Sequence, residues 1–281
     1  MIAPLLVMGA TGRIGRVLRH CWATRPPMGL RPIWQARRPA AGYVAWDILA
    51  QPCPVDLTGG VVLCLAGVVP GTAGQMGQNT DLALAACAAA KAGGARHVFL
   101  ASSAAVYGAA GTALPEESQP QPAAPYGAAK LAMERAVLDW QRAHGLGVTI
   151  LRIGNIAGLD ALLGQARADR VVQLDPVPGQ DGGPVRSYIG PRTLALVLGG
   201  LAERAARGAD LPPVLNVAAA PAVSMGALLD AAGIGWAYAP PNPAVIPKVE
   251  LETARLQALV PLAAGAGRPE NMVAEWREIQ G

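Results

Sequence analysis

Aromatic side chains are scarce in this 281-residue sequence, where Phe, Trp and Tyr make up 4% of the residues. Proteins that bind single-stranded nucleic acid stack bases on exposed rings, so this scarcity argues against that class. The formal net charge is +4, but the lysines and arginines are scattered and form no basic run. We therefore predict no nucleic-acid partner.

Patterns typical of metal sites and of membrane spans are missing as well. The four cysteines include no Cys-x-x-Cys pair, so we expect no metal and interpret them as reduced thiols of a cytoplasmic protein. No apolar run approaches the roughly 18–20 residues that a spanning helix needs. We therefore expect no membrane partner.

What the sequence does contain is hydrophobic residues, 52% of the total, arranged in short runs. Strand-like runs lie at 5–8, 31–35, 61–66, 97–101, 148–153 and 214–218, and helical patterns at 14–23 and 81–91. Apolar strands that alternate with helices are typical of a parallel sheet covered by helices on both faces. The predicted fold class is α/β with a doubly wound parallel sheet.

Glycines follow the first predicted strand at a spacing of three, in Gly9-Ala10-Thr11-Gly12-Arg13-Ile14-Gly15. A dinucleotide-binding loop requires this position between a strand and a helix. Gly9 can take the tight turn, Gly12 lets backbone amides approach a pyrophosphate, and Gly15 lets the helix pack closely on the strand. The predicted cofactor contacts in this loop are Gly9, Thr11, Gly12, Arg13, Ile14 and Gly15.

The end of the second strand bears on which dinucleotide binds. NAD-specific folds place an acidic residue there, some 20 residues beyond the glycine loop, whereas this sequence has Gln35-Ala36-Arg37-Arg38. Two arginines suit a 2′-phosphate, so NADP is the preferred cofactor and NAD the second choice. The alternative is that Arg37 and Arg38 are solvated loop charges.

Tyr126 and Lys130 lie four residues apart, on one face of a predicted helix. Upstream, Ala101-Ser102-Ser103-Ala104-Ala105-Val106-Tyr107-Gly108 directly follows an apolar strand. Together with the glycine loop, these segments resemble the extended short-chain dehydrogenase/reductases, the NAD-dependent epimerase/dehydratase family. We interpret residues 1–155 as a Rossmann domain and 156–281 as a small substrate lobe, with 192–219 returning to the Rossmann sheet.

The resemblance implies a catalytic role for four residues. Tyr126 would be the general acid or base on the substrate oxygen. Lys130 and the positive charge of the nicotinamide would lower the phenol pKa, and Lys130 would also hold the nicotinamide ribose. Ser103 would hydrogen-bond the reacting oxygen; it is preferred to Ser102 because it lies four residues before Tyr107, as in the family motif. Asn79 would stand at the start of a helix and would support Lys130 through a bridging water molecule.

The family pattern extends to further cofactor and substrate residues. Asp47 and Ile48 resemble the pair that contacts the adenine, and Leu65-Ala66-Gly67 resembles the loop that lines the nicotinamide ribose. Asn155 resembles an asparagine that faces substrate. Arg186 keeps the position of an arginine that reaches a diphosphate in nucleotide-sugar enzymes, but the acids and the histidine of that segment are absent. A loop-pinning arginine is the alternative.

Several functions fit these residues. The preferred one is an NADP-linked oxidoreductase that acts on a carbonyl/hydroxyl pair of a small sugar-like or hydroxylated substrate. The nearest alternative is a sugar or nucleotide-sugar epimerase or dehydratase that retains its cofactor, and another is a non-catalytic NADP-binding regulator. Residues 82–90 include no charged side chain, and a helix that is apolar on all sides is usually buried on more than one, so we expect a homodimer.

Overall fold

Strands and helices alternate along residues 2–68, 73–109, 111–164 and 170–280, which are the residues that the computed structural model describes. The strands are β1 (Ala3–Met8), β2 (Leu30–Ala36), β3 (Val44–Ala45), β4 (Val61–Cys64), β5 (His97–Ser103), β6 (Gly147–Ile153), β7 (Asn155–Ile156), β8 (Val172–Leu174), β9 (Val185–Ile189), β10 (Val214–Val217), β11 (Ala219–Ser224), β12 (Trp236–Tyr238) and β13 (Lys248–Val249). The helices are α1 (Arg13–Thr24), α2 (Ala73–Ala92), α3 (Pro125–His144), α4 (Ala161–Gly164), α5 (Pro191–Ala206), α6 (Met225–Ala232), α7 (Ala254–Leu259) and α8 (Pro269–Gln280).

A central sheet of seven parallel strands organises the molecule, in the order β10-β6-β5-β4-β1-β2-β3. From β1, strands β2 and β3 extend the sheet to one edge, and strands β4, β5, β6 and β10 extend it to the other. The strand order therefore reverses between β1 and β4. In doubly wound sheets ligands bind at the carboxyl ends of the strands beside such a reversal.

Both faces of this sheet are covered, which is why its strands are continuously apolar. Leu5 and Val7 of β1 pack on one face with residues of α1 and α5, whereas Leu6 and Met8 pack on the other face with residues of α2 and α3. Alternate residues of a strand point to opposite faces. The predicted α/β class with a doubly wound parallel sheet is confirmed.

The C-terminal part of the chain adds a second layer of structure. There β7, β9, β11 and β13 form a smaller sheet, β8 pairs with β12, and a separate cluster forms around Leu174, Tyr188 and Leu228. Two elements that follow residue 155 are part of the Rossmann unit instead. Strand β10 pairs with β6 in the central sheet, and helix α5 packs on one face of that sheet. We propose residue 155 as the boundary between the Rossmann domain and the substrate lobe.

Helix α2 is longer than the sequence predicts. It begins at Ala73 rather than at Asp81, and the prediction that Asn79 opens a helix is wrong, because Asn79 lies in its second turn. Glycines and asparagine weaken the local preference for helix over 73–80, but tertiary packing overrides it. Within the described chain, no helix is both long and apolar enough to cross a membrane.

Candidate active site

A cavity of about 430 Å³ opens at the carboxyl ends of β1, β4, β5 and β6, beside the reversal of strand order. The glycine loop forms one side of it, and the segment that follows β6 forms another. The sequence-predicted residues that line it are Gly9, Gly12, Arg13, Ile14, Gly15, Leu65, Gly67, Ser103, Tyr126, Lys130 and Asn155. The structure thus brings together three of the four predicted catalytic residues, all but Asn79, and most of the predicted cofactor contacts.

The glycine loop has the shape that its sequence predicts. Gly9 has φ +74°, and a Cβ there would lie 2.6 Å from the backbone nitrogen of Ala66. A Cβ on Gly15 would collide with the backbone of Ala10. Gly12 is the N-cap of α1 and lines the cavity. The first turn of α1 carries no acidic residue, so no carboxylate of the helix itself offsets its positive end.

Gln35 has a structural role that the sequence did not reveal. It is 2% exposed, its Oε1 accepts a hydrogen bond from the Gly9 amide at 2.8 Å, and its Nε2 donates to the Trp46 carbonyl at 2.6 Å. Gln35 therefore holds the glycine loop to the end of β2. Arg37 and Arg38, by contrast, are exposed.

The other predicted cofactor contacts lie around this loop. Ala66 abuts Gly9 behind the cavity wall. Thr11 is exposed, and its carbonyl accepts a hydrogen bond from Arg16. Asp47 and Ile48 do not line the cavity in the described structure: Ile48 is buried in the core, and Asp47 accepts a hydrogen bond from the Leu49 amide.

Ser103 and Tyr126 both line the cavity, and their side chains share a hydrogen bond. Ser103 ends β5, where its hydroxyl accepts a hydrogen bond from the Ala105 amide at 3.2 Å, and Tyr126 occupies the first turn of α3. Burial raises the pKa of the Tyr126 phenol, and the hydrogen bond with Ser103 and the nearby charge of Arg13 oppose that rise. The sequence predicted a pKa lowered by Lys130 and by the positive charge of a bound nicotinamide. In this structure burial outweighs the neighbouring charges, and the cation that lowers the pKa is Arg13.

Lys130 is not among the groups that shift the Tyr126 pKa, and its ammonium group is bound to the backbone of β5. Lys130 is 5% exposed, and its Nζ donates a hydrogen bond to the Ala101 carbonyl at 2.9 Å. Burial lowers the pKa of Lys130, whereas Cys64 and Glu134 raise it. The ammonium still lines the cavity, where it can reach a bound ligand.

Asn79 supports the loop after β4. It is 1% exposed; its Oδ1 accepts from the Val68 amide at 3.1 Å, and its Nδ2 donates to the carbonyls of Val68 and Met76. Gly67 separates it from Lys130: a Cβ on Gly67 would lie 2.8 Å from Asn79 Oδ1 and 3.3 Å from Lys130 Nζ. Asn79 therefore acts on the shape of the loop, and Gly67 lies between it and Lys130.

On the substrate side, the structure separates Asn155 from Arg186. Asn155 lines the cavity, and its Nδ2 donates to Asp160 Oδ2 at 3.3 Å. Arg186 is not among the described residues that line the cavity; its guanidinium donates to the carbonyls of Val185 and Ile246, each at 2.8 Å. These are the contacts of an arginine that pins a loop, the alternative that the sequence left open.

Two carboxylates at or near the cavity were missed by the sequence analysis. Asp160 lines the cavity beside Asn155, and burial raises its pKa. Glu134 is buried behind the cavity against Ser102 and Arg152. The spacing Lys130-x-x-x-Glu134 was the available signal for Glu134. No local pattern pointed to Asp160. In the described ranges, no group of three or more His, Cys, Asp or Glu residues could hold a metal ion.

Comparisons with known proteins agree with this geometry. The model of the NAD dependent epimerase/dehydratase family matches residues 5–173. A curated UDP-glucose 4-epimerase from Azospirillum brasilense is 40% identical over 100 residues, which make up 35% of this chain and 27% of that protein. The chain therefore matches only about a quarter of that relative's length.

Solved structures share the fold over nearly the whole chain. One is MoeE5 in complex with UDP-glucuronic acid and NAD, which is 22% identical with a TM-score of 0.77 and covers 99% of this chain and 100% of its own. Another is the UDP-glucose 4-epimerase from Brucella ovis in complex with NAD, which is 18% identical with a TM-score of 0.77 and 96% coverage of both chains. At these identities the likeness shows the fold alone.

Proposed function

The chain belongs to the NAD dependent epimerase/dehydratase family, and we propose that it transfers a hydride to or from a carbonyl/hydroxyl pair of a small sugar-like substrate. It is an enzyme of the short-chain dehydrogenase/reductase type. The observation that carries the proposal is that the glycine loop, Ser103, Tyr126 and Lys130 line one cavity. A protein that only binds a nucleotide has no need of the phenol and the hydroxyl.

The cavity suits a nicotinamide dinucleotide. The space that a Cβ would fill at Gly9 and Gly15 is taken by neighbouring backbone, and the α1 N-terminus favours a pyrophosphate. When bound, the cofactor supplies the hydride acceptor or donor. Arg13 would hold the pyrophosphate, and Lys130 the ribose hydroxyls.

The protein's own part is proton transfer and stabilisation of charge at the substrate oxygen. As a phenolate, which the positive charge of a bound oxidised nicotinamide would favour, Tyr126 would take the hydroxyl proton during oxidation. As a phenol it would return a proton during reduction. Ser103 would donate a hydrogen bond to the same oxygen as its charge changes. A bound cofactor and substrate would exclude water from this cavity. The contacts of Tyr126 and Ser103 with the substrate oxygen would then be stronger.

Epimerisation or dehydration, in which the substrate is oxidised only transiently, is the second candidate. The family match and the curated 4-epimerase relative support this candidate. The two functions differ in cofactor turnover. An epimerase keeps its nucleotide through purification and needs none added, whereas a dehydrogenase exchanges it in every cycle.

The charges of the cavity favour a small hydroxylated substrate over a nucleotide diphosphate. Arg186, which would reach a diphosphate, instead donates to backbone carbonyls. Asp160 adds a carboxyl group to the lining, which can accept hydrogen bonds from sugar hydroxyls and offers no cation to a second diphosphate. Asn155 beside it adds an amide.

A panel of substrates tests this proposed function. Free aldoses, small ketones and UDP-sugars are incubated with the purified protein, with and without added NAD(P)(H), and the released nucleotide is identified by mass spectrometry. We expect turnover of a free sugar or ketone. Turnover of UDP-sugars alone would overturn the substrate class, and turnover of nothing by a nucleotide-loaded protein would favour the non-catalytic regulator.

We propose that NADP binds more tightly than NAD, because Arg37 and Arg38 stand where an acid would repel a 2′-phosphate. A charge-assisted contact contributes about 1.5–3 kcal/mol, or roughly ten- to a hundredfold in affinity. Arg37→Ala should reduce the ratio of the two affinities by that amount. Arg31→Ala, which removes an equally exposed arginine from the start of β2, should not. Equal wild-type affinities, measured by calorimetric titration, would contradict the assignment.

We also propose a homodimer formed through α2 and α3, which pack side by side in one chain. Leu82, Leu84 and Ala85 of α2 are only half-buried there, so a partner could cover them. We expect sedimentation equilibrium at micromolar concentration to give twice 28.7 kDa. A single 28.7 kDa species would exclude this dimer.

A further inference from the structure

Glu134 ties the catalytic helix to the two strands behind the cavity. It lies one turn beyond Lys130 on α3 and is 1% exposed. Its carboxylate accepts a hydrogen bond from the Ser102 hydroxyl at 2.5 Å and another from Arg152, whose Nη2 lies 2.7 Å from Oε2. Ser102 is on β5, directly before Ser103, and Arg152 is its partner in register on β6.

The Glu134 carboxylate also affects the pKa of Lys130. Burial disfavours the ammonium form of Lys130, and Cys64 and Glu134 oppose that effect by raising its pKa. Burial also raises the pKa of the Cys64 thiol to about 11, so the thiol is uncharged at neutral pH. Glu134, by contrast, forms an ion pair with Arg152 and lies one helical turn from Lys130 on the same face of α3.

Three further groups near Lys130 in the described ranges are neutral or positive. Tyr126, one turn before it, is an uncharged phenol at neutral pH because burial raises its pKa. Asn79 contributes an amide across Gly67. Arg152 is the cation on the far side of Glu134 and binds it through both Nε and Nη2. Such a two-point contact fixes the direction of the carboxylate.

We propose that Glu134 is a positioning residue for the catalytic site: it holds Lys130 in its charged form and fixes β5, which carries Ser103, against the helix that carries Tyr126. Glu134 is not among the described residues that line the cavity, so it acts through its neighbours. The inference rests on the proposed function, in which the charge of Lys130 binds the ribose and supports Tyr126.

The affinity for NADPH as a function of pH tests the proposal without a substrate. Binding is followed by nicotinamide fluorescence from pH 7 to 10, in a Tyr126→Phe background so that the phenol does not titrate. Affinity should fall as Lys130 loses its proton. In Glu134→Gln the midpoint of that fall should lie about 1 pH unit lower, because Lys130 then faces Arg152 without a carboxylate. Glu134→Asp keeps the charge and should keep the midpoint.

Two further variants separate the charge from the packing. Ser102→Ala removes the hydrogen bond to Glu134 but no charge, so it should leave the midpoint in place even where it lowers stability. If Glu134→Gln does not fold, the double variant Glu134→Gln/Arg152→Met takes its place. It removes both buried charges, so no buried guanidinium is left unpaired. The double variant should still show a lowered midpoint.

The outcomes are distinct. A midpoint in Glu134→Gln equal to that of the parent overturns the proposal, and so does a uniform loss of affinity at every pH, which is the mark of a purely structural residue. A wild-type protein that binds neither NADPH nor NADH overturns the proposed function as well.

Discussion

Tyr126→Phe is expected to slow the chemical step by about 10²–10⁴-fold, the usual contribution of general acid–base catalysis. The substitution removes one oxygen and keeps the ring, so the half-buried side chain still fills its place beside Ser103. Cofactor affinity should change little, because the proposed ribose and pyrophosphate contacts belong to Lys130, Arg13 and the glycine loop. Single-turnover kinetics with the best substrate of the panel measures the effect.

A matched control and two neighbouring variants make this result specific. Tyr43→Phe removes the same atom from a tyrosine that stacks under Arg19 and should leave the rate unchanged. Lys130→Met should weaken both nucleotide binding and turnover, and Ser103→Ala should slow chemistry less than Tyr126→Phe does. A Tyr126→Phe protein that turns over substrate at the wild-type rate would show that the mechanism is wrong.

Arg152→Ala is expected to lower the free energy of unfolding by about 3–5 kcal/mol, because it leaves a buried carboxylate unpaired. Arg152 is 5% exposed and binds Glu134, the Tyr107 hydroxyl at 2.9 Å and the Glu116 carbonyl at 3.0 Å. Tyr107 in turn donates to Asn216 Oδ1 at 2.8 Å. The loss of one guanidinium therefore leaves the buried Glu134 carboxylate without its counter-charge and removes one hydrogen bond each from the Tyr107 hydroxyl and the Glu116 carbonyl.

Urea unfolding at pH 7 measures this loss. Arg142→Ala is the matched control, because Arg142 forms an ion pair with Asp139 on the exposed face of the same region, where such pairs contribute little. Glu134→Gln/Arg152→Met should recover part of the stability, since the two charges leave together. Similar losses in Arg152→Ala and Arg142→Ala would show that the buried network does not stabilise the fold.

Much of the fold and of the site could be predicted from the sequence, because the signals are local. A strand buried on both faces must be apolar throughout, as β1 and β4 are. A loop that turns at positive φ and packs against backbone must carry glycine, as at Gly9 and Gly15. The four-residue spacing of Tyr126 and Lys130 places both on one helix face wherever the helix forms.

Tertiary structure alone decided which partner each polar side chain found. Arg186 turns to the carbonyl of Ile246, which is 60 residues away in sequence, and Arg152 finds Glu134 across 18 residues. Gln35 binds the glycine loop across 26 residues. Each choice depends on which strands and helices become neighbours and on how deeply they are buried. Sequence spacing carries neither kind of information, whereas the sterics of a glycine and the period of a helix operate over a few residues.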